Sequence, residues 1–184
     1  MKQDIERILI SQERIAARVH ELAEEIMDDH LGATGEITMV PILTGAMVFC
    51  ADLMRQMSVR MRIGLLTVSS YPGASIRTQG SHLLSQQLGD VRGRHVLLID
   101  DILDSGGTLK LVIPVLKSME PASVKTCVLV RKDRAVAREV QVDYLGFEIP
   151  DEFIVGYGLD YDNYYRNLPD IVTLRKSVLK SRLD

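Results

Sequence analysis

Apolar residues recur along this chain in two patterns, one with the spacing of a helix and one in short unbroken runs. From Ser11 to about Asp29 an apolar residue returns every three or four positions, which predicts a helix with one buried stripe and with Ser11 as its N-cap. Two further helices are predicted over 46–57 and 106–118. The unbroken runs predict buried strands over a second set of segments, which are 37–43, 62–69, 94–99, 123–130 and 140–147.

Strands and helices alternate along the sequence, and this order indicates the fold class. Strands that are apolar throughout are typical of a parallel sheet covered by helices on both faces. The chain has 184 residues without an internal repeat or an obvious linker, which predicts one domain over 1–184. We therefore expect an α/β fold with a central parallel sheet flanked by helices. A small hood lobe is expected to draw on a strand near 8–10 and on the region from Tyr144 onward.

One segment departs from this pattern. Residues 70–80 are turn-forming or polar and carry no apolar period, which predicts a long loop of the kind that bears function or moves. In a parallel sheet, ligands bind beyond the carboxyl ends of the strands. A site is therefore expected among four segments, which are 43–45, 69–71, 100–108 and 131–132.

Charge and composition exclude several classes of protein. Lysine and arginine total 22 against 25 aspartates and glutamates, and the net charge of −3 argues against a strongly basic nucleic-acid binder. No stretch approaches the roughly 20 apolar residues of a membrane helix, and the charged N-terminus lacks the apolar core of a signal peptide. Cys50 and Cys127 each lie in an apolar run and are expected to be buried thiols. We therefore expect a cytoplasmic protein that binds neither nucleic acid nor membrane.

The segment 96–108, with the sequence VLLIDDILDSGGT, carries the most informative chemistry. A buried strand leads into Asp100 and Asp101, Asp104 follows, and Ser-Gly-Gly-Thr opens a helix. Backbone amides at a helix N-terminus favour an anion, and glycines let them approach a phosphate closely. Two adjacent carboxylates would repel that phosphate, but they suit a polyol, a cation or both. The segment therefore predicts a site for a sugar phosphate.

Each of these residues also has an ordinary structural explanation. An acid pair beside a strand can be a solvated strand end, or the Mg²⁺ pair of a receiver-type signalling domain, although no phospho-acceptor aspartate directly follows Val130. Lys132 lies in a run of charges that would usually be solvated, and Phe153 could be a core aromatic. Asp160 could form a turn, and Arg166 could make a surface ion pair.

The 96–108 segment resembles the signature with which type I phosphoribosyltransferases bind 5-phospho-α-D-ribosyl 1-diphosphate. Three later stretches are similar to the hypoxanthine (hypoxanthine-guanine) phosphoribosyltransferases, and they are 129–132, 146–160 and 166–169. Residues 42–46 and 69–71 fall where that family has its diphosphate loop and its mobile lid. The resemblance covers residues 6–174 and implies the type I phosphoribosyltransferase fold.

The resemblance implies roles for the residues of the signature. Asp100 and Asp101 would hold the 2′ and 3′ hydroxyls of the ribose together with Mg²⁺. The 5′-phosphate would be bound by Asp104, Ser105, Gly106, Gly107 and Thr108. Asp104 would also lie near N7 of the purine and act as general base, or as acid in the reverse direction.

The resemblance assigns four residues to the purine, and they are Lys132, Phe153, Ile154 and Asp160. Lys132 would donate to the 6-oxo group, with Arg131 as the adjacent candidate. Phe153 would stack on the base, and the backbone of Ile154 would meet its Watson–Crick edge. Asp160 would also hold a second Mg²⁺ on the diphosphate side.

The resemblance assigns four residues to the diphosphate, and they are Leu43, Thr44, Gly45 and Arg166. Ser70 and Tyr71 would close over the site as a lid. Members of the family often have a cis peptide in the diphosphate loop, so we predict one between Leu43 and Thr44.

The implied activity is purine salvage. The enzyme would transfer the phosphoribosyl group to hypoxanthine, and also to guanine, giving IMP or GMP and diphosphate with Mg²⁺. The family is commonly dimeric or tetrameric, so a homodimer or homotetramer is expected. The alternative is a regulator that has kept the fold and binds RNA or a nucleotide. Such a regulator needs a basic face, against which the net charge of −3 argues.

Overall fold

The computed structural model describes residues 1–30, 36–69 and 82–180. A short 3₁₀ turn, Lys2–Asp4, precedes the first strand. The strands are β1 (Ile5–Ile10), β2 (Glu36–Leu43), β3 (Arg60–Ile63), β4 (Leu65–Ser69), β5 (His82–Gln87), β6 (His95–Leu103), β7 (Ser123–Lys132), β8 (Tyr144–Ile149), β9 (Ile154–Val155) and β10 (Ile171–Leu174). The helices are α1 (Gln12–His30), α2 (Met47–Gln56), α3 (Gly107–Lys117), α4 (Ala135–Arg138) and α5 (Lys176–Lys180).

The central sheet is seven-stranded and mostly parallel, as predicted. Its strand order is β5-β4-β2-β6-β7-β8, and β3 also pairs with β2. Every pairing in it is parallel except that of β5 with β4. The carboxyl ends of β2, β4, β6 and β7 consequently point to one edge of the sheet, where the functional site lies.

The sheet is covered on both faces, because its strands alternate apolar side chains between two cores. Leu97 and Ile99 of β6 face the core shared with α1 and α2, which bury Leu22 and Phe49 there. Val96 and Leu98 of the same strand face the other core, which α3 completes with a stripe of its own, Leu109, Val112 and Leu116. Fully burying one such side chain contributes about 1.5–3 kcal/mol. This packing fixes β6, and with it the acids that β6 carries.

Two predicted strand boundaries are corrected by the structure. The run 62–69 is not one strand but two, because the chain breaks at Gly64, whose amide donates to the Met39 carbonyl at 2.9 Å. The strand predicted to stop at residue 99 continues as β6 to Leu103. Asp100 pairs in register with Val128 of β7, so the acid pair lies within the strand and not after its end.

The hood lobe is a three-stranded antiparallel sheet in the order β1-β10-β9. It encloses a small core of Val155, Tyr165, Val172 and Leu174. The expectation that the lobe begins at Tyr144 is wrong, because β8 pairs in parallel with β7 at the edge of the central sheet. At Gly146 a Cβ would lie 2.3 Å from the Leu129 carbonyl oxygen, so a glycine is needed there for close packing on β7.

The strand β5 was not predicted, because its sequence HLLSQQ has neither an apolar run nor alternation. It is the exposed antiparallel edge of the sheet, and Leu84 within it is 64% exposed. The predicted loop 70–80 lies outside the described residues. In the part of the chain that the structure describes, no helix has both the length and the apolar character for crossing a bilayer.

Candidate active site

A cleft of about 730 Å³ opens between the central sheet and the segment that enters the hood. The predicted site residues that line it are Leu43, Thr44, Gly45, Asp100, Asp101, Thr108, Asp160 and Arg166. They come from the ends of β2 and β6, from the first turn of α3 and from the segment after β9. The fold therefore brings together residues that are more than 120 positions apart in the sequence.

The loop after β2 presses against the acid pair. A Cβ on Gly45 would lie 1.9 Å from Oδ2 of Asp101, so a side chain at this position would displace the Asp101 carboxylate. The peptide bond between Leu43 and Thr44 is cis, as predicted. The loop is also packed from the hood side, because a Cβ on Gly158 would lie 2.2 Å from the Gly45 carbonyl oxygen.

Asp100 is buried, Asp101 beside it is half-buried, and Arg166 is the cation that acts on this acid pair. Asp100 is 5% exposed, and its Oδ1 accepts a hydrogen bond from the Asp101 amide at 3.1 Å. Burial, and next the negative charge of Asp101, raise the pKa of Asp100 well above its ordinary value. Burial also raises the pKa of Asp101, against the lowering effects of its hydrogen bonds and of the nearby Arg166. A cation placed here would relieve this cost.

Arg166 faces the acid pair from the opposite wall of the cleft. Its guanidinium donates to the Gly158 carbonyl at 2.8 Å and pairs with Oδ1 of Asp160 at 2.9 Å. The other oxygen of Asp160 accepts from the Asn163 amide at 2.8 Å, and Asn163 Oδ1 accepts from Arg166 at 3.2 Å. This network holds both Asp160 and Arg166 toward the cleft.

The donor set fits Mg²⁺ bound partly by substrate. Carboxylate oxygens are the ligands that Mg²⁺ prefers, and it is usually held by one or two of them together with water and phosphate. Within residues 1–30, 36–69 and 82–180, no three or more His, Cys, Asp or Glu side chains converge on one point. The acid pair on one wall and Asp160 on the other therefore suit a metal whose remaining ligands come from the substrate.

The turn before α3 has the predicted form of an anion site. Gly106 has a φ of +77°, and a Cβ on it would lie 2.3 Å from Cγ2 of Val140. The helix begins at Gly107 without a side-chain cap. Ser105 and Gly107 are exposed, Thr108 lines the cleft, and the Gly107 amide donates to Ser105 Oγ at 3.5 Å. The first-turn amides of a helix have no partner within it and favour an anion.

Asp104 and Lys132 do not line the cleft of the acid pair but belong to a neighbouring group of four charged residues, here called the ion cluster: Asp104, Lys132, Arg134 and Asp151. Lys132 Nζ lies 3.4 Å from Asp104 Oδ2 and 3.6 Å from Asp151 Oδ1. Arg134 lies 2.6 Å from Asp104 Oδ1 and 2.7 Å from Asp151 Oδ2. Lys132 is therefore not a solvated charge, since its side chain is only 10% exposed.

Arg131, the alternative to Lys132, faces the other way. Its guanidinium pairs with Glu148 of β8, with Nε 3.1 Å from the carboxylate. Adjacent residues of a strand point to opposite faces, so only one of the two can reach Asp104. The geometry favours Lys132.

Phe153 and Ile154 lie where the chain enters the hood. The Phe153 side chain is 44% exposed, and its ring meets that of Tyr161 edge to face at 5.4 Å. Ile154 is buried, and its backbone belongs to β9, paired with Thr173. A partly exposed ring beside a fixed backbone segment can support a flat ligand. The lid residues Ser70 and Tyr71 lie outside the described residues.

Sequence reasoning missed Arg134, Asp151 and Asn163. Arg134 lies in the run of charges that contains Lys132, and Asp151 lies in the stretch 146–160, but both were overlooked in favour of their neighbours. Their pairing depends on the β7–β8 register, which a sequence pattern does not fix. Asn163 lies in a turn whose residues have positive φ angles, and its own φ is +64°. Nothing in the sequence except its residue type indicates a place in the site.

Comparison with known proteins matches residues 6–162 to the phosphoribosyl transferase domain family. The hypoxanthine-guanine phosphoribosyltransferase of Mycobacterium tuberculosis is 42% identical over 176 residues, covering 93% of this chain and 87% of that protein. The hypoxanthine phosphoribosyltransferase of Escherichia coli K12 is 38% identical over 171 residues, covering 93% of this chain and 96% of that protein.

Solved structures agree with the fold. A hypoxanthine-guanine phosphoribosyltransferase from Bacillus anthracis, with a HEPES molecule in its active site, superposes with a TM-score of 0.84 at 38% identity, covering 93% of this chain and 99% of the other. The hypoxanthine phosphoribosyltransferase of Trypanosoma cruzi superposes with a TM-score of 0.88 at 35% identity, covering 98% and 97% of the two chains.

Proposed function

The chain belongs to the phosphoribosyl transferase family, and on this premise we propose that it transfers the 5-phosphoribosyl group from 5-phospho-α-D-ribosyl 1-diphosphate to hypoxanthine, and also to guanine. The products are IMP or GMP and diphosphate, and the reaction belongs to purine salvage. The observation that carries the proposal is the 38–42% identity, over 93% of the chain, to enzymes named for this activity. In the same chain the acid pair, Thr108 and Arg166 line one cleft.

We assign the ribosyl diphosphate to this cleft. Asp100 and Asp101 bind the ribose hydroxyls, and Asp104 with the turn 105–108 binds the 5′-phosphate at the start of α3. The loop amides at Leu43, Thr44 and Gly45 bind the diphosphate, and Arg166 stabilises its charge as it leaves. The lid formed by Ser70 and Tyr71, which lies outside the described residues, keeps water away from the reacting carbon.

The reaction forms a bond from purine N9 to C1′ of the ribose and breaks the bond from C1′ to the diphosphate oxygen. Positive charge develops on the ribosyl ring and negative charge on the leaving diphosphate, where the Arg166 guanidinium acts. Asp104 accepts the proton from N7 of the incoming base. One Mg²⁺ would be held by Asp100 and Asp101 and a second by Asp160, and these ions would supply charge neutralisation to the diphosphate.

The preference for 6-oxopurines follows from Lys132. An ammonium group only donates hydrogen bonds, so Lys132 would donate to the 6-oxo group of hypoxanthine or guanine and would disfavour the 6-amino group of adenine. Phe153 stacks on the base, and the Ile154 backbone meets its Watson–Crick edge. We further propose that the enzyme works in the cytoplasm as a homodimer or homotetramer.

The test is product formation with hypoxanthine, guanine, xanthine and adenine side by side, each with ribosyl diphosphate and Mg²⁺. We expect IMP and GMP, and far less product from adenine. Turnover of adenine above hypoxanthine would contradict the role of Lys132. The absence of any nucleotide product from all four bases would contradict the proposed function itself.

A further inference from the structure

Arg134 joins the two carboxylates of the ion cluster more tightly than Lys132 does. Its Nη1 lies 2.6 Å from Asp104, and its Nε lies 2.7 Å from Asp151. Lys132 meets the same two acids at 3.4 and 3.6 Å. The two nitrogens of one rigid, planar fork thus fix both acids, whereas the ammonium is a point charge at the end of a flexible stem.

The two oxygens of Asp104 have different partners. Oδ1 accepts from Arg134 and Oδ2 from Lys132. If Lys132 turns to a purine oxygen, Oδ2 is released, whereas Oδ1 keeps its guanidinium. Arg134 also stays paired with Asp151 when Lys132 moves to the purine oxygen, so neither carboxylate is left without a cation.

The backbone that carries Arg134 is anchored on both sides. The Arg134 amide donates to the Lys132 carbonyl at 2.8 Å, and its own carbonyl accepts from Ala137 and Arg138 at 3.1 Å each. The preceding residue, Asp133, donates its amide to the Ile149 carbonyl at 2.8 Å. The guanidinium therefore extends from a fixed point between β7 and α4.

We propose that Arg134, braced by Asp151, is a positioning residue that holds the Asp104 carboxylate so that Oδ2 and the Lys132 ammonium both face the purine. This inference rests on the proposed function, since it assumes that Asp104 and Lys132 act on the base. Arg134 itself does not touch the substrate, and it acts through Asp104.

The experiment compares Arg134→Ala with Arg138→Ala in steady-state kinetics. Arg138 is the matched control, because it is a nearby arginine paired with an aspartate, Asp133, on the exposed side of the same segment. We expect R134A to lower kcat with hypoxanthine about tenfold and to raise KM for hypoxanthine several-fold. KM for the ribosyl diphosphate should stay within about twofold, and R138A should match the wild type. Arg134→Lys, which keeps the charge without the fork, should recover part of the loss.

A double variant separates positioning from general distortion. In an Asp104→Asn background, R134A should change kcat by less than about twofold, because its target carboxylate is gone. Three results would overturn the inference. They are a further tenfold loss of kcat in the Asp104→Asn background, equal changes in the KM values for hypoxanthine and ribosyl diphosphate, and wild-type kinetics for R134A. If R134A is too unstable to assay, Asp151→Asn takes its place, because this variant removes the partner that braces Arg134 and keeps the guanidinium. Asp151→Asn should lower kcat and raise KM for hypoxanthine. Unchanged kinetics in this variant would overturn the inference. Wild-type synthesis of IMP in the same assay keeps the proposed function separate from this outcome.

Discussion

The acid pair and Asp104 of the ion cluster lie a few residues apart on one strand and turn, yet the electrostatics of the two regions are opposite. Asp100 is buried, hydrogen-bonded to the amide next to it, and raised in pKa by burial and by Asp101. Asp104 is 44% exposed and has a cation on each oxygen. The first region is deficient in positive charge, whereas the second is already balanced.

This difference indicates two ways of receiving a ligand. A region deficient in positive charge gains stability from a cation that arrives with the substrate. A balanced region gains nothing from another charge, and it must exchange one partner for another. The acid pair therefore suits the metal and sugar end of the substrate, and the ion cluster suits a neutral base with one oxygen to offer. Four experiments test this comparison.

The largest effect is expected from removal of the divalent cation. Chelation by EDTA should reduce synthesis of IMP to background, because the acid pair would then carry uncompensated charge beside a charged diphosphate. Added Mg²⁺ should restore the rate in the same sample. Turnover that persists without any divalent ion would mean that the acid pair does not use a metal.

The next largest effect is expected for Asp104→Asn. This change removes the proton acceptor and keeps the shape, so kcat should fall by roughly 10²–10⁴. The fold and the binding of ribosyl diphosphate should be retained, as checked by thermal melting and by titration with the sugar diphosphate. Wild-type turnover by this variant would remove Asp104 from the role of general base.

A smaller effect is expected for Lys132→Ala. Loss of a charged hydrogen bond of about 1.5–3 kcal/mol should lower kcat/KM for hypoxanthine and guanine by roughly 10- to 100-fold. Arg131→Ala is the neighbouring comparison, and it should change these values little, because Arg131 pairs with Glu148. The reverse result would show that Arg131 binds the base.

The smallest effect is a pH-dependent gain in stability for Asp100→Asn without metal. A carboxyl whose pKa is raised by folding is more protonated in the folded state than in the unfolded state, where its pKa is about 3.9. The contribution of Asp100 to stability is therefore lost as the pH rises from about 4 through the raised pKa. The amide does not titrate, so the variant should melt above the wild type at neutral pH by a few degrees, about 2–4 °C for each kcal/mol. The difference should vanish near pH 4, and a variant that melts lower at pH 7 would contradict this account.

The two regions also differ in how far the sequence predicts them. The acid pair and the turn 104–108 are contiguous, so the sequence of the segment 96–108 shows both the residues of this region and their spacing. The ion cluster joins the ends of β6, β7 and β8, and its membership depends on strand register and on the face to which each side chain points. Lys132 could be named by resemblance, but Arg134 and Asp151 become visible only when β8 is placed beside β7.

Burial and strand pairing also explain which strands were predicted wrongly from the sequence. Unbroken apolar runs located most strands of the central sheet, because strands buried on both faces have that pattern. β5 is an exposed edge strand, so its side chains do not have to be apolar. The hood was placed too early because the apolar strand at Tyr144 gives no sign of whether it pairs with β7 or with β10.

The glycine contacts around the cleft predict two positions that tolerate almost no substitution. Gly158 packs on the Gly45 carbonyl, and Gly45 packs on the Asp101 carboxylate, so three segments from distant parts of the chain are in direct contact. A saturation library at positions 45 and 158 should return glycine almost exclusively among active clones, although neither residue carries a chemical group that reacts. A variant that enlarges either position would have to displace the segment packed against it, so the shape of the cleft depends on two residues that have no side chain.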